Sequence, residues 1–115
     1  NLPFISVIIV SWNALHHLKR FLPSVYASDY PHFEIILADN ASTDECSFVK
    51  ENFPQVIITT FDINYGYCGG NNRAVSSAKG EILLFLNNDV EVDSNWLHAI
   101  GLEFLNNKVA AVQPK

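Results

Sequence analysis

Glu81 to Asp93, EILLFLNNDVEVD, sets the terms for the whole chain. Ile82 to Leu86 are apolar without interruption, the pattern of a strand buried on both faces. The run then breaks into Asn87, Asn88 and Asp89, with Glu91 and Asp93 close behind. An open α/β sheet builds its ligand site in this way, because ligands sit outside the carboxyl ends of parallel strands, beside the point where strand order reverses. The pattern places Asp89 to hold a hard metal ion against a phosphate. The same NND reads equally as a polar turn closing a core strand, since Asn and Asp are ordinary turn residues.

The remaining segments alternate in the way such a sheet requires. Ile5 to Val10 is a β-branched strand ending in Ser11, Trp12 and Asn13, and Asn13 is placed to cap the next helix. Leu15, Leu18, Leu22 and Val25 repeat at three- and four-residue intervals as one helix stripe, which Pro23 should kink or end early. Phe33 to Ala38 is a second strand, ending at Asp39 and Asn40. Ser42 and Glu45 have capping-box spacing, so a helix should start near Thr43 and run until Pro54, with Phe48, Val49 and Phe53 inward. Val56 to Phe61 is a third strand. A loop from Asp62 to Gly70 then leads into a helix through Ala74, Val75 and Ala78, with Gly80 where a left-handed helix end wants glycine. Asp93 or Ser94 should cap a last helix that turns Leu97, Ile100, Phe104 and Leu105 inward, and Val109 to Val112 closes the chain as a fifth strand. The expected fold is a three-layer, doubly wound, mainly parallel α/β domain spanning residues 1–115.

Composition removes several function classes. The chain has 115 residues, enough for one domain that buries roughly two thirds of its unfolded surface. No 18-residue apolar run exists, so a soluble domain is expected and no membrane span. The formal charge of −5, with scattered Lys and Arg, argues against a nucleic-acid partner. Cys46 and Cys68 make neither a disulfide framework nor a zinc site, and read as small apolar residues or idle thiols. His16, His17, His32 and His98 lack ligand spacing and read as surface residues. With no signal peptide in view, the expected location is cytoplasmic. A start at Asn1 without Met and a stop at Lys115 read as fragment boundaries.

A parallel sheet would gather Ser11-Trp12-Asn13, Asp39-Asn40 and Asn87-Asn88-Asp89 along one edge. Gly66, Gly69 and Gly70 would let backbone approach a ligand there, and the following helix start offers N–H groups to an anion. Together these groups suit a nucleoside diphosphate: a carboxylate for a metal, a helix start for phosphate, an aromatic and an acid for a base. The loop glycines fit neither GxGxxG nor a P-loop. Taken singly, Trp12 reads first as half-buried core, Asp39 as a turn residue and the glycines as loop relaxation.

SVIIVSWN, ILADNASTD, NYGYCGGNNRAV and GEILLFLNNDVEV, in this order and spacing, resemble the nucleotide-sugar-binding half of family 2 glycosyltransferases with the GT-A fold. The resemblance spans essentially the whole chain, and leans towards the rhamnosyl- or galactofuranosyl-transferase-like branch. It implies that Trp12 packs near the base, with backbone contacts from Val10 and Ser11. It implies that Asp39 accepts the ring N–H of uracil or thymine, and that Gly66, Gly70 and the loop between them lie along the diphosphate and sugar. Asn87-Asn88-Asp89 stands where the family carries D-x-D, so Asp89, with Asn87, would bind Mg²⁺ or Mn²⁺. Asn88 would join the nucleotide set while shaping the turn. Mg²⁺ prefers one or two carboxylates plus phosphate oxygens and water, which suits this donor set.

The resemblance also carries departures and partners. Asn87 replaces the first acid of D-x-D, which lowers the charge of the site. The family's catalytic base lies well downstream of the metal motif, so nucleotide binding without efficient transfer is expected of these residues. The parent enzyme would transfer the sugar with inversion to a saccharide or lipid-linked glycan, at the inner face of the membrane in the full-length protein. The family sheet inserts a later strand between strands four and five, so an exposed edge inviting self-association is expected. Two other classes of α/β domain need residues that this chain lacks. A receiver-like signalling domain needs an Asp at the end of strand three, where Thr59, Thr60 and Phe61 stand. A nucleotidyltransferase needs a glycine-rich basic loop after strand one, and SWNALHHL has no glycine.

Overall fold

The computed structural model describes residues 2–42 and 45–107, and the expected fifth strand at Val109 to Val112 lies outside them. Four strands form one parallel sheet: β1 (Ile5–Ser11), β2 (Phe33–Asn40), β3 (Ile57–Phe61) and β4 (Ile82–Leu86). Their order is β3-β2-β1-β4. The chain therefore steps outward from β1 through β2 to β3, then returns past β1 to lay down β4 on the other side. Strand order reverses at β1, and the crevice between β1 and β4 is the switch point of a doubly wound sheet.

Crossover handedness then decides which face each helix covers. Right-handed connections in one direction place their helices on one face, and a connection in the opposite direction places its helix on the other. Helices α1 (Leu15–Tyr26) and α2 (Glu45–Asn52) follow β1 and β2. Leu18, Leu22, Val25 and Val49 from these helices pack with Val7, Ile9, Ile35 and Leu37 of the sheet. Helix α4 (Trp96–Asn107) adds Leu97 and Ile100 to the same cluster. Helix α3 (Gly66–Ala74), extended by a 3₁₀ turn over Val75–Ser77, makes the return crossover. It packs Ala74 onto Ile8, Val10, Ile36 and Ala38, the opposite face. Alternate residues of β1 and β2 thus feed different cores, which is why both strands are apolar almost throughout.

Several local expectations change. Strand β4 is not buried on both faces: its residues alternate, and Phe85 is 36% exposed. Among the described residues it is an edge strand, and α3 lies over β1 and β2 rather than over it. Helix α1 continues past Pro23 to Tyr26. Asn13 is no helix cap; it has a φ of 48°, its backbone N–H goes to Ser42 Oγ, and Ala14 occupies the cap position without a side-chain bond. Ser42 is committed to that contact, while Thr43 and Asp44 lie outside the described residues. Asp93 receives the Trp96 N–H on its backbone carbonyl. Leu105 is 45% exposed rather than inward.

Gly80 does not sit in a left-handed helix end; among the described glycines only Gly66 has positive φ. Its role is close approach. A Cβ there would stand 2.6 Å from Ser6 N and Oγ and 2.9 Å from Phe4 O, and the Gly80 amide donates to Ser6 Oγ.

Candidate functional site

The register of β1 and β2 sets Ser11 beside Asp39 at the carboxyl edge of the sheet. Asp39 is fully buried, at 0% exposure. Its Oδ1 accepts the Ser42 N–H at 3.2 Å, and its Oδ2 accepts the Cys46 thiol at 3.1 Å from the first turn of α2. No cationic side chain pairs with it among the described residues. A carboxylate offers about four lone-pair sites, so two such bonds leave capacity for another donor.

Asn40, next along β2, clamps the loop that follows β3. Its Nδ2 donates to Gly66 O at 3.0 Å, and its Oδ1 accepts Tyr65 N–H at 3.2 Å. Asn64 Oδ1 takes the Gly66 N–H at 2.8 Å. With Gly66 at a φ of 77°, these bonds turn the chain straight into α3. The expected loop to Gly70 is therefore mostly helix, and the helix start lies at Gly66, whose own N–H is taken by Asn64, not beyond Gly70. Gly70 faces the sheet, where a Cβ would come within 3.0 Å of Val10 Cγ1 and of Asn40 Nδ2. A poor helix former stands at Gly70 because the helix backbone there approaches the strand ends closely.

Asn88 latches the end of β4 across the switch point. Its Nδ2 donates to Val10 O at 3.1 Å, and its Oδ1 meets His17 Nδ1 at 3.1 Å. This side chain and the Val10 carbonyl are thereby spent on each other. His17 is a half-buried partner rather than a surface residue, while His16, His32 and His98 are exposed as expected. The flanking Asn87 and Asp89 remain exposed. Trp12 is not core: it is 56% exposed, immediately after the strand end it was expected to mark.

Direct contacts thus bring Val10 together with Gly70 and Asn88, and Asn40 joins Gly66 to Gly70; Asp39 is set beside Ser11 by register, and Trp12, Asn87 and Asp89 adjoin these residues in the chain. Sequence reasoning placed Asn40 at the sheet edge without a role of its own, and gave none to His17, Cys46 or Asn71. Asn71, on α3, is 8% exposed, and its Oδ1 is the buried side-chain atom without a hydrogen-bond partner among the described residues. A polar residue at an apolar strand end could have pointed to Asn40. Nothing in the sequence marks the other three.

No three His, Cys, Asp or Glu side chains gather as a metal cage among the described residues. Asp89 offers one exposed carboxylate and Asn87 one amide oxygen. That set fits a hard divalent ion whose remaining ligands are phosphate oxygens and water.

Burial pushes the Cys46 thiol above its ordinary value, and the hydrogen bond to Asp39 pushes it further. A raised thiol value means that its stabilising contribution is whole below about pH 8.5 and is lost as pH rises through the folded value. At pH 8, maleimide should label the exposed Cys68 well before Cys46. Equal labelling rates, followed by peptide mapping, would contradict the half-buried, hydrogen-bonded thiol.

The family model described as Glycosyl transferase family 2 matches residues 6–115. The O-antigen biosynthesis protein RfbC of Myxococcus xanthus is 36% identical over 115 residues, covering 96% of this chain and 9% of that protein. S. aureus TarS 1-349 in complex with UDP superposes with a TM-score of 0.82 at 24% identity, over 91% of this chain and 33% of that one. The mannosyltransferase PcManGT from Pyrobaculum calidifontis, in complex with GDP-Man and Mn²⁺, gives a TM-score of 0.69 at 28% identity, over 79% and 29%. The chain therefore spans a third or less of each of these proteins. No helix among the described residues is long and apolar enough to cross a membrane.

Proposed function

The chain belongs to glycosyl transferase family 2, and on that premise we propose that its strand-end crevice binds a nucleoside diphosphate sugar, of the UDP or dTDP type, together with Mg²⁺ or Mn²⁺. Asp39 carries the reading. A fully buried carboxylate without a cation is costly unless something hydrogen-bonds it, and Asp39 stands at the ligand-binding edge of the sheet with acceptor capacity to spare. Uracil and thymine offer a ring N–H beside a carbonyl, which is the donor such an acid selects. Adenine and cytosine present a bare ring nitrogen at the equivalent edge.

The other roles follow from position. Trp12 is exposed beside Ser11 and packs against the base, while the backbone of Val10 and Ser11 lines the crevice. The N–H groups at the start of α3 face the diphosphate, where a helix N-terminus favours an anion. Asn88 holds the turn that presents Asp89 and Asn87, and these two residues hold the ion. When bound, the divalent ion neutralises charge on the departing nucleoside diphosphate. PcManGT, with its Mn²⁺ and GDP-Man, supports a metal and a nucleotide sugar for this fold. Guanine also carries a ring N–H beside a carbonyl, so GDP belongs in the test. The whole protein would transfer the sugar with inversion to the hydroxyl of a saccharide or lipid-linked glycan, and no catalytic base is assigned among the described residues.

Calorimetric titration of the folded chain with UDP, dTDP and GDP in Mn²⁺ should show submillimolar binding by at least one, with ADP and CDP weaker. Failure of all three would remove the donor reading. In Asp89→Asn, UDP affinity should no longer rise when Mn²⁺ is added. An unchanged Mn²⁺ dependence would take Asp89 out of the site.

A further inference from the structure

We propose that Cys46 is a positioning residue for Asp39, its thiol proton holding the carboxylate in the orientation that accepts the base N–H. This rests on the reading of Asp39 as the base acceptor. A carboxylate turns about a broad terminal torsion, so a single hydrogen bond leaves it free to swing. Here the two oxygens are tied from separate places. The Ser42 amide holds Oδ1 at 3.2 Å from the loop after β2, and the Cys46 thiol holds Oδ2 at 3.1 Å from α2. Thr60 Oγ1 stands 3.9 Å from the same sulfur, on the residue of β3 that pairs with Asp39. The thiol is thereby kept between β2 and β3, aimed at the carboxylate.

The donor type suits the task. A lysine or arginine at this place would compensate the charge of Asp39 and compete with the ligand. A thiol is a weak donor, so it fixes the geometry and leaves the carboxylate strong as an acceptor. Sulfur also tolerates the half-buried, apolar surroundings of the first turn of α2.

The test compares Cys46→Ala and Cys46→Ser in the 115-residue chain by calorimetry against UDP and against inorganic pyrophosphate, both with Mn²⁺. Cys46→Val, which fills the volume without a donor, is read alongside in case the alanine variant is unstable. The alanine and valine variants should bind UDP about tenfold more weakly, near the low end for losing a bond to a charged group. Their pyrophosphate affinity should be unchanged, and serine should restore UDP binding. Unchanged UDP affinity in the variants overturns the proposal, and so does an equal loss for UDP and pyrophosphate, which marks a merely structural role. Asp39→Ala, measured in parallel, separates the two failures. If it too leaves UDP binding intact, the base reading has failed; if it alone weakens UDP, only the role of Cys46 is overturned.

Discussion

Asp39→Ala should weaken UDP binding by roughly ten- to a hundredfold, the range for losing a hydrogen bond to a charged acceptor, while leaving pyrophosphate binding in Mn²⁺ nearly unchanged. The asymmetry follows from where Asp39 sits. It is fully buried beside Ser11 at the carboxyl edge of the sheet, whereas the groups proposed for the diphosphate lie at the start of α3 and on the turn after β4. Circular dichroism confirms beforehand that the variant is folded, because the substitution strands the Ser42 amide and the Cys46 thiol. An equal fall for UDP and pyrophosphate would mean that Asp39 supports the crevice as a whole and recognises no base.

Gly80→Ala should be the most destabilising single-methyl change among the described glycines. The added Cβ would lie 2.6 Å from Ser6 N and Oγ and 2.9 Å from Phe4 O. Those atoms belong to β1 and its approach, at the centre of the sheet, and strand backbone cannot yield as a side chain can. Overpacking of this kind costs about 3 kcal/mol, a fall of roughly 10 °C in Tm for a domain of this size. Gly66→Ala is the comparison. Gly66 has positive φ but open space around its Cβ position, so its cost is the backbone term of about 1–2 kcal/mol alone. Thermal melts placing Gly66→Ala below Gly80→Ala would show that conformation rather than crowding governs these two sites.

Much of the fold was legible from the chain. Ile5 to Val10 and Phe33 to Ala38 announce their strands because a covered parallel sheet demands apolar residues on both faces, and the apolar run Ile82 to Leu86 reads as a strand by the same pattern. The polar residues that end these runs, Asp39 and Asn87 to Asp89, are legible for the same reason, since polar side chains closing such a run have few places to go except the sheet edge. The start of α3 was not legible. Gly66, Gly69 and Gly70 argue against helix by propensity, and only the fold gives their lack of a side chain a use: a positive φ at Gly66, and close approach to Asn40 and Val10 at Gly70. Phe85 misled for a related reason: an unbroken apolar run does not say whether its strand is central or at the edge.

Sequence alone determined the alternation of strands and helices, the polar strand ends and the order in which they arrive. Those are local properties, written in periodicity and in the chemistry of consecutive residues. The tertiary structure alone decided which side chains of the site are occupied and which are available. Asn40 holds Gly66 from 26 positions away, His17 meets Asn88 across 71, and Cys46 reaches Asp39 across a turn of the chain. A hydrogen bond depends on distances of a few ångströms and on direction, and neither exists until the crossovers have brought the strand ends together.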